Sequence, residues 1–136
     1  MKHRLLILPI VVLTLVIHAC SSNENETTRR LLGEWTVVSY EERRTGAASA
    51  VVSNIGTMIF REDGKGARNI AYDFMGTAYT DQGAFQWTAS DSTVRISGDE
   101  GKFNKAWIVM VNKKDRQEWK STDGQGNVQV MHLHKN

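Results

Sequence analysis

Cysteine is all but missing from this 136-residue chain: Cys20 is the only one, so no internal disulfide and no thiolate metal cluster can form. Proline is equally scarce, with Pro9 alone. The one long apolar run, Leu5 to Ile17, spans 13 residues, too few to cross a bilayer comfortably. Charge of one sign is not in excess. Lys2 and Arg4 precede Cys20, and the remaining 15 Lys and Arg balance the 15 Asp and Glu, which removes the electrostatic case for nucleic acid. No Ser/His/Asp motif, phosphate loop or zinc-protease signature is present, so no catalytic residues, enzyme activity or cofactor are expected. His132 and His134 share a strand face. They would supply half a metal site with no third ligand indicated, and no metal is expected.

What is present begins with an address. A basic start (Lys2, His3, Arg4), the apolar run and a small residue at Ala19 have the order of a secretory signal peptide. Ile17-His18-Ala19-Cys20 resembles the lipobox of bacterial lipoproteins, with an apolar residue three positions before the cysteine and a small one directly before it. His18 is an unusual occupant of the middle position. The resemblance implies removal of residues 1–19 and lipid on Cys20, anchoring the protein to the outer membrane of a cell envelope, on its periplasmic face or at the cell surface. A secreted protein with a free thiol is the alternative. Residues 20–28 would then be the lipidated cysteine and a polar tether, SSNENETT after Cys20, which cannot bury enough surface to order itself.

Residues 29–136 read as one domain built of strands. After a short helical turn at Arg29–Leu32, Glu34–Glu42 alternates, with Trp35, Val37 and Ser39 on one face and Tyr40 on the other. Further strands are expected at Thr57–Glu62, Ala67–Phe74, Ala84–Ala89, Thr93–Ser97, Phe103–Asn112, Gln117–Thr122 and Val128–Lys135. Phe103–Asn112 is apolar enough to be buried on both faces. Asp63-Gly64-Lys65-Gly66 and Asp123–Asn127 are glycine hairpin signals, and Met75–Gly83 reads as a long loop. Eight short strands joined by hairpins predict an all-β fold, an eight-stranded antiparallel up-and-down barrel, with a two-sheet sandwich as the competing solution.

Leu32-Gly33-Glu34-Trp35 carries a G-x-W at the start of the first strand, and this resembles the lipocalin signature. Phe60-x-x-Asp63-Gly64-x-Gly66 and Phe85-x-Trp87 extend the resemblance to the lipocalin-like domains of small Bacteroidetes lipoproteins. It implies that Trp35 closes the barrel floor against a basic residue near the last strand. Lys135 is the only basic residue of that strand. The family's Thr-Asp-Tyr motif is only echoed, by Thr80-Asp81 before Gln82, and its disulfide is missing.

An eight-stranded barrel either fills itself with side chains or holds one small ligand. Val37, Met58, Phe60, Ile70, Tyr72, Phe74, Phe85, Trp87, Val94 and Ile96 are the expected lining, and a small apolar ligand the expected partner of a monomeric protein. The alternative is an interaction module that engages a protein or glycan through loops such as Thr45–Ala50 and Met75–Gly83.

Overall fold

A computed structural model describes residues 24–136. The apolar run, Cys20 and the first part of the tether lie outside the described residues. Among the described residues no helix is long and apolar enough to cross a membrane.

The domain opens with α1 (Glu26–Leu31) and continues as eight strands: β1 (Gly33–Arg43), β2 (Ala50–Phe60), β3 (Lys65–Phe74), β4 (Thr77–Ala89), β5 (Thr93–Ser97), β6 (Ala106–Asn112), β7 (Arg116–Thr122) and β8 (Val128–Lys135). Each strand pairs antiparallel with the next, and β8 pairs back onto β1, so the sheet closes into a barrel. Closure leaves no exposed sheet edge, which settles the choice between barrel and sandwich.

α1 begins earlier than the expected turn at Arg29. Asn25 caps it by accepting the Thr28 amide at 2.9 Å, and the Asn25 side-chain amide donates to the Ala89 carbonyl at 2.7 Å. Thr27 is fully buried. The polar stretch through Thr28 was expected to be tether throughout, yet its last residues belong to the domain, because their hydrogen-bonding groups find barrel partners that local composition does not show.

The second strand starts at Ala50 rather than Thr57 and the sixth at Ala106 rather than Phe103, and three further differences follow from the barrel's geometry. First, a β-bulge between Val37 and Ser39 shifts the register of β1 against both neighbours. One extra residue reverses the alternation beyond it, so Tyr40 points inward with Trp35 and Val37. Second, Met75–Gly83 is not a loop. Met75 and Gly76 alone turn the chain, with φ of 54° and 79°, the pair of positive values a tight hairpin requires. Asp73 steadies the turn by accepting the Gly76 amide at 3.0 Å, and β4 begins at Thr77. Third, β6 is buried on one face only. Ile108 and Met110 are 57% and 51% exposed, because a closed barrel has a single interior.

Candidate functional site at the barrel mouth

The two ends of the barrel differ. α1 and the turns at 61–64, 90–92 and 113–115 lie at one end, the floor. The connections at 44–49, 75–76, 98–105 and 123–127 lie at the other, the mouth.

The floor is shut. The Trp35 indole nitrogen donates to the Leu31 carbonyl at 2.8 Å, and the Lys135 ammonium sits 5.3 Å from the Trp35 ring centroid while donating to the Arg30 carbonyl at 3.2 Å. Gly33 has φ of 116°, and a Cβ there would come within 3.1 Å of Lys135 Cε. A glycine two positions before the tryptophan therefore lets the lysine stem pass. Beside and above this layer the interior is filled. Phe60 stands edge-on to Phe85, Trp87 and Trp119 at 5.4, 5.3 and 6.0 Å. The indole nitrogens of Trp87, Trp107 and Trp119 all have acceptors.

Toward the mouth the character changes. The segment between β5 and β6 folds over the opening and inserts Phe103, 1% exposed, against Tyr40 at 5.3 Å. Arg68, on the inner face of β3 and 4% exposed, fastens this segment. Its guanidinium donates to Asp81 Oδ1 at 2.6 Å, Asn104 Oδ1 at 2.9 Å and the Glu100 carbonyl at 2.7 Å. Gly101 has φ of 149°, and a Cβ on it would lie 2.0 Å from Arg68 Nη2, so only glycine admits the arginine so close. Beside this clasp lies a cleft of about 320 Å3, lined in part by Tyr72, Tyr79, Asp81, Lys102 and Phe103. Three buried polar atoms at this end lack a partner: the hydroxyls of Tyr40 and Tyr72, and Asp81 Oδ2. A larger hollow of about 540 Å3 between β4 and β5 is a more open surface feature, and none of those three atoms lies on its lining residues.

Residues 31–115, more than half of the chain, match the lipocalin-like domain family. The chain belongs to that family. No curated protein matches it. A lipocalin-like barrel is in general a scaffold for small-ligand binding rather than for catalysis. The match stops before β7 and β8, which complete the barrel.

The expected lining of the lipocalin-like barrel is brought together on its inner face. Val37, Met58, Phe60, Ile70, Phe74, Phe85, Trp87, Val94 and Ile96 are buried, and Tyr72 is half-buried at the mouth. Most of these side chains pack on one another in a single core, joined by Tyr40, Phe103, Trp107 and Trp119. His132 and His134 do share a face. It is the outer one, where His132 Nδ1 lies 3.8 Å from Glu118. Among the described residues no group of three His, Cys, Asp or Glu is placed to hold a metal ion.

Arg68 escaped the sequence reading although its parity with Ile70 and Phe74 places it inside. Tyr40 lies on the other face from the one its alternation predicts, because a bulge leaves no local signature, and nothing local marks Lys102. Asp81, in the sequence an echo of a family motif within an expected loop, is a strand residue held by Arg68.

Burial and the nearby Tyr72 push the Tyr40 phenol well above its ordinary value of 10.0, and burial does the same to Tyr72. Both are neutral hydroxyls at physiological pH. Burial also pulls the Lys105 ammonium below its usual range, and it donates to Gln129 Oε1 at 3.1 Å.

These shifts give a testable pH dependence. Above pH 10 an unfolded tyrosine releases its proton while folded Tyr40 keeps it, so the unfolded state binds fewer protons. Stability is complete below pH 10 and falls above it, by up to ~1.4 kcal/mol per pH unit for this group. Tyr40→Phe removes a hydroxyl that has no partner, so its stability at pH 7 should change by less than about 1 kcal/mol, toward greater stability. Its alkaline decline should be shallower than that of the parent. Urea midpoints from pH 7 to 11.5 measure both, and parallel pH profiles would contradict the assignment.

Proposed function

We propose that this protein is a lipid-anchored, non-enzymatic binding protein of the bacterial envelope that holds a small, largely apolar ligand at the mouth of its lipocalin-like barrel. The observation that carries the reading is the contrast between the two ends. The floor is packed and its polar atoms are matched, whereas the mouth has an aromatic cleft and buried polar atoms left free. Natural proteins rarely leave such atoms unmatched without a use for them. Three of the exposed large hydrophobic residues, Val51, Met75 and Tyr79, ring the same end and would extend the contact.

Anchoring at Cys20 fits this geometry. The chain enters the domain through α1, at the floor, and the residues between Cys20 and Glu24 reach at most ~3.3–3.6 Å each. The floor would face the membrane and the mouth would face away from it, open to diffusing ligands. The loop-mediated interaction reading loses one of its two loops, since residues 77–83 are strand.

Native mass spectrometry of the protein purified from its own host tests the binding reading. The expected result is an adduct of small-molecule mass, lost when Phe103→Ala opens the cleft. A clean apo mass, with no shift on incubation with dodecanol, dodecyltrimethylammonium or host lipid extract, would overturn it. The anchor has its own test. Cys20→Ser should move the protein from the membrane to the soluble fraction, and unchanged membrane partitioning would rule the lipid out.

A further inference from the structure

Lys102 has an unusual environment for a loop lysine. Its ammonium lies 4.5 Å from the ring centroid of Tyr79, 5.1 Å from Phe74, 5.5 Å from Tyr40 and 5.9 Å from Tyr72. All four distances fall within the roughly 6 Å over which a ring face attracts a cation. The rings come from β1, β3 and β4, so the fold assembles them from separate strands around one point. Tyr72 and Tyr79 are stacked at 5.3 Å and 18°, which holds the Tyr79 ring in place at the rim. Glu42 adds a negative charge. Its Oε1 is held by Arg44 at 3.2 Å, while Oε2 faces the Lys102 ammonium at 3.7 Å, too far for a good hydrogen bond.

We propose that the mouth is an aromatic cage for a small organic cation, an alkylammonium head group, and that Lys102 fills the cage in the unliganded protein. This rests on the mouth being the binding end and names the chemistry of what binds there. Faces of electron-rich rings around a carboxylate are the arrangement that recognises alkylated ammonium ions. A neutral apolar molecule would use the rings and gain nothing from Glu42. An anion could pair with Lys102 or with Arg44, whose guanidinium lies 5.5 Å from the Phe74 ring, but once Lys102 has left it would face ring faces and the free oxygen of Glu42.

Lys102 is suited to leaving. It stands on the segment between β5 and β6, beside Gly101, its side chain is about a third exposed, and no hydrogen bond to a side chain or carbonyl holds its ammonium among the described residues. Its neighbours stay behind when it swings out. Arg68 keeps Asp81, and Arg44 keeps one oxygen of Glu42, so the second oxygen is left to the incoming cation. An internal occupant lowers the apparent affinity by the fraction of time the cage is free. A cage filled nine-tenths of the time therefore conceals about a tenfold stronger site.

The test uses choline and its uncharged isostere 3,3-dimethylbutan-1-ol, titrated into the wild-type protein, Lys102→Ala, and Lys102→Ala/Tyr79→Ala, followed by the NMR shifts of the tyrosine rings. Choline should bind the wild type weakly and Lys102→Ala about tenfold or more tightly. The added Tyr79→Ala should abolish most of the gain, and the isostere should bind Lys102→Ala at least about tenfold more weakly than choline does. Lys102 and Tyr79 are both exposed, so the variants should keep the parent melting temperature within a few degrees, which a thermal scan verifies. Equal affinity for the two isosteres would overturn the cation assignment while leaving small-ligand binding intact. No choline binding to folded Lys102→Ala would also overturn it. If neither probe binds and the native mass is clean, both readings fall together.

Discussion

Trp35→Ala is expected to lower the unfolding free energy by about 3–5 kcal/mol, the range for removing a fully buried large aromatic side chain. Small domains have roughly 5–15 kcal/mol in total, so this one change removes a large share. Several losses add. The ring is completely buried in the floor, and its removal leaves a void that the surrounding barrel backbone cannot close. The Leu31 carbonyl loses its donor and the Lys135 ammonium loses the ring beneath it. The last two effects fall on α1, which the indole joins to the barrel. A lower urea midpoint with an unchanged slope would show the stability loss. Hydrogen exchange should show the α1 amides exchanging before those of β1 and β8. A loss under about 1 kcal/mol, or an α1 protected as in the parent, would contradict the role given to the floor.

Arg68→Met should cost a similar amount, about 3–5 kcal/mol, for a different reason. The attraction between Arg68 and Asp81 is offset in large part by the cost of burying both, so the pair adds little by itself. The penalty arises because the variant strands what the arginine leaves behind. Asp81 would retain a carboxylate with neither oxygen matched, and the Glu100 carbonyl and Asn104 side chain would lose their donor. The double variant Arg68→Met/Asp81→Leu should therefore recover a good part of the loss, since an apolar pair in the same space is often neutral. Arg68→Lys should not rescue, because a single ammonium cannot reach three separate acceptors in the geometry of a guanidinium fork. Unfolding free energies of the four proteins in a double-mutant cycle measure this. Strictly additive single and double changes would refute the coupling. Hydrogen exchange adds a local signature: amides of the 98–105 segment should lose protection in Arg68→Met, since the guanidinium fastens that segment across the mouth.

Much of the barrel was legible in the primary structure because its causes are local. Period-two alternation, β-branched and aromatic enrichment, and glycines in hairpin positions fix where most strands run. The inner set from Val37 to Ile96 follows from that alternation: nine of its ten side chains are buried inside, and Tyr72 is half-buried at the mouth. Gly33 and Trp35 are legible as a motif, and the structure supplies its reason, the Lys135 stem passing over a residue without a side chain. Where the period breaks, the reading broke with it. The bulge after Val37 turned Tyr40 to the wrong face. The strand from Thr77 to Gly83 has no bulky alternation, so it read as loop although a two-residue turn precedes it.

The sequence by itself therefore determined an eight-stranded all-β domain with no catalytic motif, and pointed to Trp35 at its floor only through the family resemblance. Tertiary structure alone decided that the interior is mostly filled, that Arg68 and Asp81 meet on the inner face between β3 and β4, and that four rings from three strands converge on Lys102. The physical reason is separation along the chain. Strand formation answers to near neighbours, which a sequence displays. The mouth answers to barrel closure, to a bulge that rotates one strand end by a residue, and to a loop that folds back over the opening, each bringing together groups that no local pattern relates.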